Sequence, residues 1–418
     1  MADQASVLID DFGPLAMHRP RSVAEIGNLV RQAAVENRAI YPIGGGTMLD
    51  RGLPPSHPGL AVTLDHLSEV IDYPTRDMTI TVQAGITIDQ LQNTLQRENQ
   101  RLPIDVPRAC SATLGGILAC NISGPRRYGF GTLRDYVIGI SVVNDRGQEI
   151  KAGGRVVKNV AGYDLCKLFV GSLGTLGIIT QVTLKLRPMP EERALVLLPS
   201  DSETLPKLLN LLHGSRTCPV CIDLLNEGFV RHLNHQPKMQ LPEAAWLILV
   251  GYEDNRDNVS WQIQQLTKEL AAENARGLDA RIGITSQPIY QAMGDLALRP
   301  ESSLIFKANL PAGGTADFCR QLSGLRIDLA MQAHAGNGIV TGHLEHDLNL
   351  ETARDLVQMI HAWIPPSGNL VIHRCPVAWK KHLPIWGKSR NDGGLMRRVK
   401  HTLDPQGIFN PGRFVEGI

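Results

Sequence analysis

The sequence predicts an α+β protein of more than one domain, and three observations carry that expectation. Strand-like and helix-like segments alternate along the chain. Three glycine-rich turns each abut a predicted strand within the first 180 residues. The texture then changes after "RPMPEER" at 187–193, a stretch of two prolines and clustered charge that reads as a linker. At 418 residues the chain is too long for one compact core, so two or three domains are expected.

The elements follow in order. Residues 22–37, "SVAEIGNLVRQAAVEN", place Val23, Ile26, Leu29, Val30 and Ala33 at helical spacing behind Ser22 as a cap. "AIYPI" reads as a strand running into Gly44, Gly45 and Gly46, and "AVTL" (61–64) and "MTITVQAG" (78–85) as further strands. Thr87 caps a helix carrying Ile88, Leu91 and Leu95. In residues 107–150, Gly115 and Gly116 open a short apolar segment that Asn121 and Gly124 close; "NDRG" then turns a hairpin between "YVIGISVV" and "QEI". "GSLGTLGIITQVTLKLRP" spaces Gly171, Gly174 and Gly177 three apart before an alternating strand. Beyond the linker, "ALVLLP", "AWLILVGY" and "SLIFKANL" alternate with helical runs such as "NVSWQIQQLTKELAAENA", which predicts a second α+β domain. The stretch "MRRVKHTLDPQGIFNPGRF" at 396–414 joins a basic helix to two Pro/Gly turns. The expected domains are therefore 1–190, 191–395 and a C-terminal segment, 396–418.

Composition excludes several classes. Hydrophobic residues at 43% and charged ones at 20% describe an ordinary soluble globular chain. A formal net charge of +1 gives no field for steering polyanions, so nucleic acid is not an expected partner. No apolar stretch approaches the length of a membrane span, and "MADQASVLIDDFG" lacks a basic region ahead of an apolar one. Seven cysteines without framework spacing fit a reducing cytoplasm. Cys218 and Cys221 form C-x-x-C ahead of His232 and His235, but that histidine spacing departs from the zinc-finger pattern, and "IDLLNEGFV" between them reads as core. No metal site is expected.

Glycine inside a regular element costs stability, so three glycine clusters beside strands mark sharp turns or backbone that something approaches closely. A dinucleotide's pyrophosphate needs many unobstructed N–H donors, and its rings need small residues nearby. The Rossmann G-x-G-x-x-G spacing is absent, so a different dinucleotide fold is required.

Together, "PIGGGT", "SATLGGILACNISG", "RRYGFGTLRDYVIGI" and "GSLGTLGIITQVTLKLRP" resemble the FAD-binding domain of the vanillyl-alcohol-oxidase/PCMH flavoprotein superfamily. "LDPQGIFNPGRF" resembles the tail by which its lactate and glycolate branch returns to the flavin domain. Within that branch, "VVKNVAGYDLCKLFVGSLGTLGII" and the late "GGLMRRVKHTLDP" look most like the FAD-binding E-subunit family of bacterial glycolate oxidase. The resemblance implies a two-subdomain PCMH-type FAD-binding domain plus an α+β cap. It places Ile43, Gly44, Gly45, Gly46, Thr47 and Met48 around the pyrophosphate. Pro107, Ser111, Thr113, Gly115, Gly116, Cys120, Asn121 and Gly124 become flavin and ribityl contacts. Gly177 and Ile178 fall at the adenine end and Asn410 near the isoalloxazine. On this reading, side chains at Gly45 or Gly116 would block the N–H groups from the phosphates.

Two departures from the family matter. Members that bind flavin covalently carry a histidine in the first turn; here Thr47 and Met48 stand there, with no histidine until His57, which implies noncovalent FAD. Catalytic 2-hydroxyacid dehydrogenases of the branch carry H-A-G-D-G-N-L-H and a later E-H-G for metal and substrate. Here "HAGNGIVTGH" keeps His334 and Gly336, but Asn337 replaces the aspartate, Thr341 takes the second histidine's place and His343 comes two positions late; "NLVIHRCP" stands where E-H-G is expected. Oxidising a small 2-hydroxy acid needs a base for the hydroxyl proton and a cation for the carboxylate. Arg374, Arg299 and Lys307 are candidates for the cation, and His334, His343 or His373 for the base. The resemblance further implies a second FAD-containing subunit and an iron–sulfur subunit as partners. The cysteine spacing here offers no iron–sulfur ligand set, so such a centre belongs on a partner, with the complex cytoplasmic or peripheral at the inner membrane.

Overall fold

The computed structural model describes residues 6–154, 163–236, 239–273, 275, 277–295, 302–325, 327–344, 348–388 and 391–418. The chain divides into two compact units. The first comprises Met1–Ser123, Thr132–Met189 and Ser389–Ile418; the second, Gly124–Gly131 and Pro190–Lys388.

The first unit holds two larger sheets and a two-stranded one. In one, the strands run in the order Ser6–Ile9, Phe12–His18, Gly59–Thr63, Ala39–Ile43. The first pair is an antiparallel hairpin and the other two pairings are parallel. The second sheet is antiparallel, in the order Val70–Asp72, Thr79–Gln83, Ile178–Lys185, Val137–Val143, Glu149–Gly153. Local chemistry sets the helix starts. The Ser22 side chain accepts from Glu25 N ahead of helix Val23–Val35. Thr87 and Gln90 form a reciprocal capping box at helix Ile88–Gln96. Helix Leu114–Cys120 starts behind Thr113 and stops at Asn121, which takes the left-handed conformation that asparagine tolerates.

The second unit is built on one eight-stranded antiparallel sheet. Its order is Asp279–Ile282, Glu192–Ser200, Trp246–Asp254, Cys221–Asn226, Leu329–His334, Ile339–Leu344, Leu304–Asn309, Asn369–Arg374. Helices Arg256–Ala272 and Leu350–Trp363 pack on it through faces that bury Val259, Leu266 and Leu270 in the first and Leu356, Val357 and Ile360 in the second. Inside this unit Arg126 ion-pairs with the fully buried Glu253 carboxylate at 2.7 Å and stacks over the Tyr290 ring at 4.0 Å.

Three boundaries differ from the sequence expectation. "RPMPEER" is not wholly a linker: Arg187–Pro188 pairs as a short strand with Gln100–Arg101, and Met189 N donates to Asn99 O. Residues 124–131, read with the first domain, group with the second, where Gly129 N donates to Val220 O. Residues 391–395, assigned to the middle domain, group with the first unit.

The C-terminal segment is fastened by a buried carboxylate. After helix Gly393–Leu403, Asp404 accepts from the N–H groups of Ile408 and Phe409 and from Lys400 Nζ at 2.6 Å. Lys400 also donates to the carbonyls of Thr175 and Phe409. Burial pulls the Lys400 ammonium below its ordinary pKa, and Asp404 opposes that pull. The chain then runs beside strand Ala39–Ile43, with Ile40 N donating to Ile408 O and Asn410 N to Ile40 O. Asp404→Ala strands a buried ammonium and two N–H groups, so we expect destabilisation of about 3–5 kcal/mol. Thr87→Ala, which removes one exposed cap, should cost only about 1 kcal/mol. Denaturation midpoints of the two variants check the ranking; equal shifts would contradict it.

Candidate functional site

A cleft lies in the first unit, walled by both glycine turns and by the C-terminal segment. Of the sequence-derived cofactor residues, 43–48, Thr113, Gly115, Gly116, Cys120, Gly177, Ile178 and Asn410 line it. Pro107, Ser111 and Asn121 are not among the lining residues, and Gly124 groups with the other unit. Sequence reasoning missed nine lining residues, among them Leu49, Leu173, Gly174 and Arg413. Arg413 belongs to the "NPGRF" that drew attention to Asn410, which was the available signal.

The first glycine turn forms the donor-rich part of the cleft. Strand Ala39–Ile43 ends at Ile43, and the backbone N–H groups of Gly45, Gly46, Thr47 and Met48 donate to no acceptor among the described residues. Successive bare N–H groups in a tight turn form an anion-binding concavity. Apolar walls from Leu64, Ile117, Leu173 and Ile179 complete it. Donors for a diphosphate between apolar surfaces for rings are what a flavin dinucleotide requires, so these residues fit FAD.

The geometry corrects the reason for the glycines. A Cβ at Gly45 would come within 1.6 Å of the Ser111 carbonyl oxygen, and one at Gly44 within 2.3 Å of Thr113 Oγ1. These glycines let the first and second turns close on each other; the collision is with the chain, not with a ligand. Ser111 therefore shapes the cradle from behind. At Gly116 a Cβ would meet Thr113 Oγ1 at 3.1 Å and Gly44 Cα at 3.7 Å, a much milder contact. Asn410 is held by its side-chain amide, which donates to Leu173 O.

The second unit gathers the other candidates on one sheet face. Asp223 stands opposite His334, Gln332 and Lys307 stand opposite Thr341 on either side, and His343 stands opposite Ala330 and Ile305. Residues directly opposite share a face, as do alternate residues along a strand, so Asp223, Gln332, His334, Thr341, His343 and Lys307 all project the same way. Arg374 pairs with Ile305 across a register irregularity that falls at His373. Asp223 is fully buried; it accepts from His334 Nδ1 at 3.0 Å and from Gln332 Nε2 at 2.8 Å. His334 is thus a hydrogen-bonded histidine with its tautomer set: Nδ1 carries the proton and Nε2 is the open acceptor. Arg299 lies outside the described residues. Cys221 is buried in its strand with Sγ 3.7 Å from the Tyr290 hydroxyl, while Cys218 is exposed.

Gly45→Ala should force the two turns apart. Overpacking of about 1–3 kcal/mol corresponds to roughly 10–100-fold weaker cofactor binding, and Gly116→Ala should cost less. Titration of the apoprotein with FAD, followed by flavin fluorescence, checks the order; a larger loss at Gly116 would refute it.

Comparison with known proteins bears on the family. Residues 14–153 match the FAD binding domain family, and residues 386–414 match the C-terminal domain of FAD linked oxidases. The chain is 36% identical to a D-2-hydroxyglutarate dehydrogenase of Xanthomonas citri pv. viticola, over 96% of this chain and 89% of that protein. It is 26% identical to glycolate oxidase subunit GlcD of Bacillus subtilis, over 96% and 88% respectively. A shorter alignment of 122 residues, 29% of this chain and 35% of the other, is 38% identical to glycolate oxidase subunit GlcE of Escherichia coli. The crystal structure of p-cresol methylhydroxylase with substrate bound superposes with a TM-score of 0.71 at 15% identity, over 95% of this chain and 88% of that one, which speaks for the fold. With its FAD binding domain and FAD linked oxidase C-terminal domain both matched, and a relative 36% identical over 96% of this chain, the protein belongs to the vanillyl-alcohol-oxidase/PCMH-type FAD flavoproteins, as an FAD-dependent oxidoreductase.

Proposed function

We propose that this oxidoreductase is the FAD-binding subunit of a glycolate-oxidising complex, acting on glycolate or a similar small 2-hydroxy acid to give the 2-oxo acid. A second FAD-containing subunit completes the substrate chemistry and an iron–sulfur subunit carries electrons away. Relatives named as glycolate oxidase subunits, D-2-hydroxyglutarate dehydrogenase and D-lactate dehydrogenase support the substrate class. The observation that carries the subunit reading is the altered H-A-G-D-G-N-L-H region. His334 is tied to Asp223, and Thr341 occupies the position of the second histidine on the same sheet face. No helix among the described residues is long and apolar enough to cross a membrane.

Bound FAD would supply a two-electron acceptor for the substrate's α-hydrogen. The chain's own contribution is to hold the diphosphate in the 45–48 cradle and to keep the ring surfaces dry with the apolar walls. A second reading, a self-sufficient 2-hydroxyacid dehydrogenase, is favoured by the match to a D-2-hydroxyglutarate dehydrogenase over 89% of that protein and by the sheet face in the second unit. There His334 Nε2 is free to take a hydroxyl proton while Asp223 stabilises the resulting cation, and Lys307 or Arg374 supplies positive charge for a carboxylate.

Anaerobic mixing with glycolate separates the two. The isolated chain should show little flavin bleaching or dye reduction, and activity should appear on co-expression with the sibling FAD subunit and the iron–sulfur subunit. Rapid bleaching of the isolated chain would establish the self-sufficient enzyme instead. Thr47 and Met48 offer no histidine for a covalent link, so acid precipitation should release intact FAD into the supernatant; yellow colour remaining with the pellet would contradict noncovalent binding.

A further inference from the structure

Arg413 is the one charged side chain among the described residues lining the FAD cleft. It is buried, with 5% of its surface exposed. Its Nη1 donates to Asp10 Oδ2 at 3.1 Å, and its Nη2 to the carbonyls of Leu49 and Arg51 at 2.7 and 2.8 Å. Its Nε is buried with no acceptor among the described residues. A guanidinium carries five N–H donors in a fixed fork, so Nε and one Nη1 hydrogen remain uncommitted here. Leaving such donors unsatisfied away from water costs free energy, and an anionic acceptor removes that cost.

The three engaged donors reach three places at once. Leu49 and Arg51 follow directly on the bare N–H groups of 45–48, so Arg413 braces the downstream end of the cradle. Leu53 N donating to Arg413 O and Ser56 N to Pro411 O bind the same loop to the tail. Asp10 sits at the tip of the hairpin formed by Ser6–Ile9 and Phe12–His18, and its carboxylate is as buried as the guanidinium it meets. Asp10 itself does not line the cleft. Desolvation works against the charged Arg413, and Asp10 is the largest influence opposing it.

We infer that Arg413 is a cofactor-positioning residue for FAD and that Asp10, through Arg413, couples FAD retention to the packing of the N-terminal hairpin. Losing Asp10 removes one of the guanidinium's three anchors and the charge that offsets its burial, which loosens its hold on the Leu49 and Arg51 carbonyls at the cradle's far end. The coupling is reciprocal: FAD that fills the open donors of Arg413 also stabilises the hairpin through the same ion pair. The inference rests on FAD occupying this cleft.

The test uses the full-length apoprotein and FAD as the probe. Wild type, Asp10→Asn, Arg413→Lys and Arg413→Gln are titrated with FAD, and amide hydrogen exchange over residues 6–18 is measured with and without it. Asp10→Asn should weaken FAD binding roughly tenfold and Arg413→Gln more, with Arg413→Lys between wild type and Gln. In wild type, FAD should slow exchange in the hairpin, and this protection should be lost in Asp10→Asn. Wild-type affinity in Asp10→Asn, or hairpin exchange in wild type that is indifferent to FAD, would overturn the inference. So would a lower apoprotein Tm in Asp10→Asn with an unchanged FAD-induced rise, the signature of a purely structural pair. The exchange measurement on wild type stands even if an Arg413 variant does not fold. Failure of wild type to bind FAD at all would instead refute the assignment of the cleft.

Discussion

The buried Asp404 carboxylate is the interaction on which the FAD unit depends. It collects the N–H groups of Ile408 and Phe409 and the ammonium of Lys400, and Lys400 in turn holds the Thr175 and Phe409 carbonyls. A buried ion pair is tolerable only when each partner's remaining donors and acceptors are met, and here they are met by backbone. The result is a rigid return of the chain alongside Ile40. That return brings Asn410 and Arg413, some 230 residues or more from the Leu173 carbonyl and the Leu49 loop in sequence, to the cleft wall. Without it the cleft has its N–H donors but neither the amide nor the cation.

Protein contacts hold the walls of the cleft together. Ser111 O against Gly45 and Thr113 Oγ1 against Gly44 set the spacing between the two glycine turns. The bare N–H groups of 45–48 are therefore presented by a braced loop rather than gathered by the cofactor. Preorganisation of this kind spares the ligand the cost of ordering the backbone, which helps a site to hold a large flexible dinucleotide. The second unit treats its polar groups differently. There Asp223 spends both oxygens on Gln332 and His334, fixing one ring orientation within a sheet face that also carries Thr341 and Lys307.

Much of this was legible in the sequence wherever the cause was local. Ser22 and Thr87 announce helix starts because a cap acts within three residues, and the glycine clusters mark their turns because a missing side chain is visible in one dimension. What was hidden is what the missing side chain makes room for: nothing near Gly45 in the sequence says that its neighbour is the Ser111 carbonyl. Arg413 was hidden for the same reason, since its partners Asp10, Leu49 and Arg51 lie more than 360 positions away. The spacing of His334, Thr341 and His343 was readable, but the strand pairing that sets Asp223 against His334 follows no periodicity in the sequence. "RPMPEER" misled because prolines that punctuate a linker serve equally well in a two-residue edge strand.

The grouping of residues 124–131 with the second unit bears on how such a protein can be cut and recombined. The chain passes from one unit to the other and back before it enters the long run 190–388, so neither unit is a single stretch of polypeptide. The short visit is not incidental: it delivers Arg126, whose guanidinium is the nearer of the two that neutralise Glu253 inside the sheet unit, Arg193 lying at 3.8 Å. A cap excised as one contiguous block loses the nearer of these two cations from a carboxylate sealed from water. Modularity in this architecture is spatial rather than genetic, and a transplanted cap has to take along an eight-residue loop encoded far upstream of it.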